Sequence, residues 1–366
     1  MQKMKRLVFG MLLAALLAAA TLAMAAETVI VQVPVAKIKS YGNIPVPVTL
    51  EEMEQAGYAF GDVLRVSFGD ETVTLPYGTA YSDVDSGCPV LVYLQDKCAY
   101  LLAINGGDFA ATYGFAQKTD NGWVSDEGDT VKVTIDMDTS QGYLDEYTIR
   151  SVVYTDDRAD YPQLTDEEFA NFREVTTTGM AAGRFYRGAS PLNDERGRAA
   201  YAAAAVETSG IRTVLNLADT EEKMRGFKRY PDSYYAGTAV ICLAMGMDLN
   251  APDNMTMLAE GLRFAVANDG PIYVHCKEGK DRTGFVCAVL ELLAGASREE
   301  MIADYMQTYA NYYGLTAEDR TYQLICGSFE RMLVEGLGES LDARMYLTNC
   351  GLSADEIDAV YQRLTR

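Results

Sequence analysis

The chain has 366 residues, 49% of them hydrophobic, which is enough to bury the cores of two ordinary domains and too apolar for a disordered polypeptide. It carries 31 Lys and Arg against 52 Asp and Glu, a formal charge of −21. That balance excludes general attraction to nucleic acid or anionic membranes, so an anionic ligand must be drawn into a local basic pocket.

The opening "MQKMKRLVFGMLLAALLAAATLAMAAE" places Lys3, Lys5 and Arg6 before an apolar run that ends in small residues at Ala23 and Ala25. This is the layout of a cleaved secretory signal over residues 1–26, and it predicts an exported protein with no stable membrane insertion after cleavage. Seven cysteines are an odd number for an exported chain. Cys88 and Cys98 are close enough in sequence to bridge. Cys242 and Cys287 lie in apolar runs and read as buried small hydrophobes, and Cys276 is expected to be left free.

Residues 27–154 hold short β-rich runs, "TVIVQVPV", "DVLRVSF", "CPVLVYLQ" and "TVKVTIDM", separated by Gly, Asn and Asp clusters. This pattern predicts a small all-β barrel or sandwich. Residues 155–171, "TDDRADYPQLTDEEFAN", are acidic and read as a linker.

Residues 172–366 alternate helix and strand. A helix is expected in "NDERGRAAYAAAAVETSG", with Asn193 as its cap and Gly210 as its stop. Strands are expected at 211–217, 238–243 and 271–275, and helices in "PDNMTMLAEGLRFAVAND" and "TGFVCAVLELLAG". Ser297 with Glu300, and Ser353 with Glu356, form capping boxes for later helices. The fold class is therefore α/β, a mostly parallel sheet flanked by helices and preceded by the all-β domain.

The third strand of this part feeds "HCKEGKDRTG", residues 275–284, which opens onto a helix. A strand–helix loop presents N–H groups at the positive end of the helix, where they suit a phosphate and stabilise a thiolate at Cys276. Arg282 adds a planar fork for two phosphate oxygens, and Gly279 lets the backbone turn close to the anion. Lys277 and Lys280 add charge, and Thr283 can donate its hydroxyl to the departing sulfur. A nucleophile, an oxyanion cradle and a charge clamp thus fall within a few residues.

This segment resembles the H-C-x5-R-[ST] signature of cysteine-dependent protein tyrosine and dual-specificity phosphatases. Its "GKDRTG" ending resembles the bacterial tyrosine and lipid phosphatase branch. "FREV", "GRFYRGASPL", "GIRTVLNLADTEEK" and "YLTNCGLSADEIDAVYQRL" are similar to other segments of that branch, so the likeness covers roughly residues 170–366. It implies the cysteine-phosphatase fold, with Cys276 attacking phosphorus and Arg282 holding the equatorial oxygens. Lys277, Glu278, Gly279, Lys280, Thr283 and Gly284 complete the substrate-binding loop, and His275 orients it and helps keep the thiolate charged. His275 is the only histidine of the chain, which excludes histidine-nucleophile phosphatases. No metal or other cofactor is expected.

The resemblance credits the loop aspartate, Asp281, as the acid. A second aspartate usually opens a "DLR" motif, where this chain has Asn216 in "NLAD". Asp219 is a substitute three residues on, and Asp248 lies near where some family members carry a mobile acid loop. The order of preference is Asp281, then Asp219, then Asp248. The substrates implied are a phosphorylated protein or, because tensin-like lipid phosphatases resemble the loop in its two lysines, a phosphoinositide or inositol phosphate. A pseudophosphatase that only binds ligand is the alternative from another class.

The N-terminal part resembles the C-terminal β-barrel of the S-adenosylmethionine hydrolase/halogenase family, in "YGNIPVPVT", "AGYAFGDVLRVSF" and the run that begins "LPYGTAYSDVDSGCPVLVYLQ". No catalytic domain of that family precedes it, so no activity is carried over. "DMDTS" (136–140) is similar to the motif of an aspartate-nucleophile phosphatase, but it lacks that fold's later motifs and reads as a strand end with a turn.

Overall fold

The computed structural model describes residues 26–366, so the expected signal segment, residues 1–26, lies outside the described residues but for Ala26. The chain divides into two compact units between Ser151 and Val152.

The first unit contains β1 (Val29–Pro34), β2 (Ile44–Val46), α1 (Leu50–Gln55), β3 (Val63–Phe68), β4 (Glu71–Gly78), β5 (Pro89–Leu94) and β6 (Ala99–Ile104). It continues with α2 (Phe109–Thr112), β7 (Gln117–Thr119), β8 (Gly122–Val124), β9 (Thr130–Thr139) and α3 (Leu144–Arg150). Seven strands form one sheet in the order β1-β9-β3-β4-β5-β6-β2, antiparallel except between β4 and β5. The two edge strands approach each other, so the sheet coils round a core that includes Leu64, Val66, Leu75, Val133 and Ile135, while Val90, Val92, Leu101 and Ala103 form a second, smaller cluster. Alternate residues of β3 point inward, as the period of a half-buried strand requires. All four runs read as strands lie in strands, and "DMDTS" is the end of β9 and its turn.

The Cys88–Cys98 bridge does not form. The hairpin pairs Pro89 with Ile104 and Leu94 with Ala99, so the two cysteines sit at opposite ends of it. Five strand steps separate them by roughly 15 Å or more, well past the ~7 Å Cα limit of a disulfide. Both thiols are free and exposed.

The second unit contains α4 (Asp166–Phe169), β10 (Arg173–Glu174), β11 (Phe185–Gly188), α5 (Ala199–Thr208), β12 (Thr213–Asn216), α6 (Glu221–Gly226) and β13 (Ala239–Cys242). After these come α7 (Pro252–Ala267), β14 (Ile272–His275), α8 (Asp281–Ala294), α9 (Arg298–Tyr313), α10 (Arg320–Leu337), α11 (Ala343–Asn349) and α12 (Ala354–Thr365). The sheet order is β10-β11-β14-β12-β13, parallel apart from the edge strand β10. Val214 and Tyr273 face Ala202 and Val206 of α5, while Leu215 and Ile272 face Leu262, Leu290 and Val360. Burial on both faces is what the unbroken apolar runs of a parallel sheet require. Both serine capping boxes are present, and Gly295 ends α8 in the left-handed conformation.

Two expectations change. Asn193 does not cap α5; its Oδ1 accepts from the Glu195 amide in a local turn, and the helix begins only at Ala199. Residues 155–171 are not a linker but part of the second unit. Tyr161 and Phe169 are buried, and the guanidinium of buried Arg198 lies 4.1 Å from the Phe169 ring and 3.8 Å from that of Tyr312. Tyr161 also donates to the Tyr312 carbonyl at 3.1 Å. The aromatic residues within the acidic composition decide the packing.

Candidate active site

Strand β14 is fully buried, and its last residue, His275, pairs in register with Gly188 of β11 and Asn216 of β12. The chain order crosses over at this point, so the carboxyl ends of the parallel strands open a crevice. Residues 276–280 lie there and lead into α8 at Asp281.

The loop backbone is tied carbonyl by carbonyl. The Cys276 carbonyl accepts from His275 Nδ1 at 3.1 Å, and that of Lys277 accepts from the Ser190 amide at 3.1 Å. The Glu278 carbonyl accepts from Tyr312 Oη at 2.9 Å and Asn171 Nδ2 at 3.2 Å. The Gly279 carbonyl accepts from Arg187 Nη2 at 3.0 Å and Asn171 Nδ2 at 3.2 Å. No described peptide is cis, and a trans peptide points its N–H opposite its C=O. Carbonyls held outward at 276–279 therefore turn the N–H groups of residues 277–280 to the inside of the loop. That is an anion cradle at a helix N-terminus.

Gly279 is required twice. Its φ is +69°, and a Cβ there would stand 2.3 Å from the carbonyl carbon and oxygen of Gly188. Cys276 is 4% exposed. Arg282, in the first turn of α8, donates from Nη1 to the Met245 carbonyl at 3.0 Å. Buried Thr283 holds its Oγ1 without a hydrogen-bond partner among the described residues, a donor free for an incoming group. Gly284 packs against the Tyr305 ring, where a Cβ would come within 2.6 Å.

His275 is completely buried between Tyr235 and the Cys276 carbonyl. Since Nδ1 faces a carbonyl it carries the proton, and Nε2 accepts from the Tyr235 hydroxyl at 2.9 Å. Burial lowers the imidazole to about 4. His275 thus braces the loop as a neutral hydrogen-bonding ring and brings no full positive charge to the thiol.

The three acid candidates differ in freedom. Asp281 begins α8 with its side chain 43% exposed, yet its packed surroundings raise its carboxyl above the usual range. Asp219 is buried and occupied, accepting from Asn216 Nδ2 at 3.2 Å and pairing with Lys223 at 2.8 Å. Asn216, which stands at the "DLR" aspartate's position, caps the Ala218 and Asp219 amides instead. Asp248 is exposed in a turn, where its carboxylate accepts from the Asn250 amide at 3.1 Å. Its segment does reach the site, because Arg282 bonds the Met245 carbonyl three residues earlier.

Both loop lysines have partners. Lys277 pairs with Glu195. Lys280 lies 3.5 Å from Glu278 and donates to Tyr313 Oη at 3.0 Å. Burial alone would lower the Lys280 ammonium, but Asp281, Tyr313 and Glu278 raise it above its usual value. Glu278 is a hub, accepting from Tyr154 Oη at 2.8 Å and lying 3.3 Å from Arg196. Its carboxyl is lowered: burial opposes this, but Lys280, Tyr154 and Arg196 prevail.

The residues that hold the loop, Asn171, Arg187, Tyr235 and Tyr312, had no assigned role in the sequence reading. Arg187 carried a signal, since a cation inside the apolar strand "FYRG" needs a buried partner. The others carried none, because their partners lie in distant segments, loop carbonyls for Asn171 and Tyr312 and the His275 ring for Tyr235.

Known proteins resemble parts of this chain. The triple specificity protein phosphatase PtpB of Mycobacterium tuberculosis is 31% identical over 94 residues, 26% of this chain. The match spans only 33% of that relative's length. Among solved structures, P. aeruginosa TpbA in complex with pTyr is 16% identical with a TM-score of 0.32, covering 52% of this chain and 96% of that one. The catalytic core of the S. cerevisiae PP-IP phosphatase SIW14 is 19% identical with a TM-score of 0.28, covering 46% of this chain and 94% of that one. The pattern described as "Tyrosine phosphatase family" matches residues 165–366, which include strands β10–β14, the tied loop and every helix after it. The chain belongs to the tyrosine phosphatase family.

Proposed function

We propose that the chain is an exported phosphomonoesterase that works through a phosphocysteine intermediate on Cys276. The observation that carries the reading is the set of outward-tied carbonyls, which leaves inward N–H groups around a buried thiol beside Arg282. In the first step the Cys276 sulfur bonds to phosphorus while the P–O bond to the alcohol or phenol breaks. Asp281 gives its proton to the leaving oxygen, and Arg282 and the loop N–H groups hold the equatorial oxygens. In the second step water attacks phosphorus and gives a proton to Asp281, and the S–P bond breaks to release phosphate. Thr283 Oγ1 donates to the departing sulfur.

A phosphotyrosine-type monoester is the substrate class we put first. Lys280, 17% exposed, is already committed to Glu278 and Tyr313, which leaves less charge for a second phosphate than two lysines imply. Phosphoinositides and inositol phosphates form the other arms of the test. The experiment is phosphate release from phosphotyrosine peptides, phosphoinositides and inositol phosphates, with and without EDTA, for the natural protein and Cys276→Ser. Activity that survives EDTA and vanishes in Cys276→Ser is expected. Activity lost to EDTA and restored by a divalent metal would sink the mechanism.

A further inference from the structure

We propose that Arg187 is a positioning residue, forking between the Asp304 carboxylate and the Gly279 carbonyl to aim the loop N–H groups at the phosphate. This rests on the phosphatase reading of that loop. Arg187 rises from β11 and is fully buried. Its Nη1 meets Asp304 of α9, and its Nη2 donates to the Gly279 carbonyl at 3.0 Å. Asp304 is shared with Arg173, whose Nε lies 2.7 Å from Oδ1. Arg173 Nη1 in turn donates to Asn171 Oδ1 at 2.8 Å, and the Asn171 amide reaches the Glu278 and Gly279 carbonyls. One carboxylate thus anchors two arginines, and both lines end on the Gly279 carbonyl, the second also on that of Glu278.

Stability alone does not explain this arrangement. Taking an arginine and an aspartate out of water is expensive, and apolar side chains of similar volume often do as well for stability. An apolar side chain in β11 cannot hold a carbonyl. With the Gly279 carbonyl fixed, the trans peptide that follows fixes the direction of the Lys280 N–H. Asn171 holds φ +53°, a conformation uncommon for a residue with a side chain, and from it its amide spans both carbonyls. Burial would raise the Asp304 carboxyl, but the Arg187 and Arg173 guanidinium groups hold it below the usual carboxylate range, so it stays an anion for both.

The test compares Arg187→Met and Arg187→Lys with the natural protein, using orthovanadate as the phosphate mimic. Arg187→Met leaves Asp304 paired with Arg173, and Arg187→Lys keeps the buried charge without the fork. Vanadate titrations run well below the melting temperature of each variant, where nearly all the protein is folded, separate positioning from stability. Vanadate binding should weaken roughly tenfold or more in Arg187→Met, with kcat falling too, as expected when cradle donors lose their aim. Arg187→Lys should recover melting temperature but not vanadate affinity. Unchanged vanadate affinity in Arg187→Met, or full recovery of it in Arg187→Lys, overturns the proposal. A natural protein that neither binds vanadate nor releases phosphate overturns the phosphatase reading itself. Binding by the natural protein and equal binding by Arg187→Met removes only the role of Arg187.

Discussion

The Tyr235 hydroxyl donates to His275 Nε2 across 2.9 Å, while Nδ1 of the same ring donates to the Cys276 carbonyl at 3.1 Å. The Tyr235 bond does not survive unchanged if the ring gains a second proton, because Nε2 would then have to donate. The unfolded imidazole protonates near 6.5 and the folded one only at about 4. Between those values the unfolded chain binds the extra proton, so stability falls as pH drops through the window. The full effect is on the order of 3 kcal/mol. We predict that the melting temperature of His275→Gln depends less on pH than that of the natural protein between these limits. Parallel melting curves for the two proteins would refute the neutral-ring assignment.

Glu291 of α8 should act with the opposite sign. It is fully buried, neither carboxylate oxygen has a hydrogen-bond partner among the described residues, and burial, with Asp304 next, raises its carboxyl well above the usual 4.5. The folded state holds this proton after the unfolded state has released it, so stability is lost as pH rises past 4.5. Glu291→Gln mimics the neutral form. It should match the natural protein near pH 4.5 and melt several degrees higher at about pH 8, since each kcal/mol is roughly 2–4 °C for a unit of this size. A lower melting temperature at the alkaline end would show that the ionised carboxylate is stabilised where it sits.

Asp281 is 43% exposed and only loosely paired, 3.9 Å from Lys280, whereas Asp219 is buried and held by Lys223 and Asn216. General acid catalysis contributes about 10²–10⁴-fold and matters most for poor leaving groups. Asp281→Asn should slow an alkyl phosphate by something in that range and a nitrophenyl phosphate far less. Equal losses on both substrates would make Asp281 a brace for the loop. A leaving-group-dependent loss in Asp248→Asn would then move the acid to the segment that Arg282 touches through Met245.

The packing of residues 155–171 sets where the second unit can be cut. Residues 152–366 expressed alone should fold and hydrolyse nitrophenyl phosphate at close to the rate of the whole chain, because the loop and its ties all lie within them. A chain starting at residue 172 lacks Tyr161, Phe169 and Asn171 and should be insoluble or inactive. If the shorter chain keeps full activity, the aromatic packing of Phe169 and Arg198 is dispensable to the site.

Much of this molecule was legible before any coordinates. The strands at 213–216, 239–242 and 272–275 lie inside the predicted runs, because unbroken apolar stretches between turn signals leave few alternatives in a parallel sheet. The serine capping boxes and the loop at 275–284 are likewise local, since a few adjacent residues carry the whole chemical instruction. Contacts between distant segments were not legible. Composition made 155–171 a linker, yet two aromatic rings and Arg198 place it in the core. Spacing allowed Cys88 to bridge Cys98, yet the hairpin register sets them at its two ends. Two lysines favoured a multiply phosphorylated substrate unless a carboxylate such as Glu278 met one of them, and in space Glu195 and Glu278 meet both. Of the residues that shape the cradle, Asn171, Arg187 and Tyr312 act on backbone carbonyls up to 108 positions away, and Tyr235 acts on the His275 ring. A backbone carbonyl has no letter in the sequence, so only the tertiary fold could decide which side chains hold the loop.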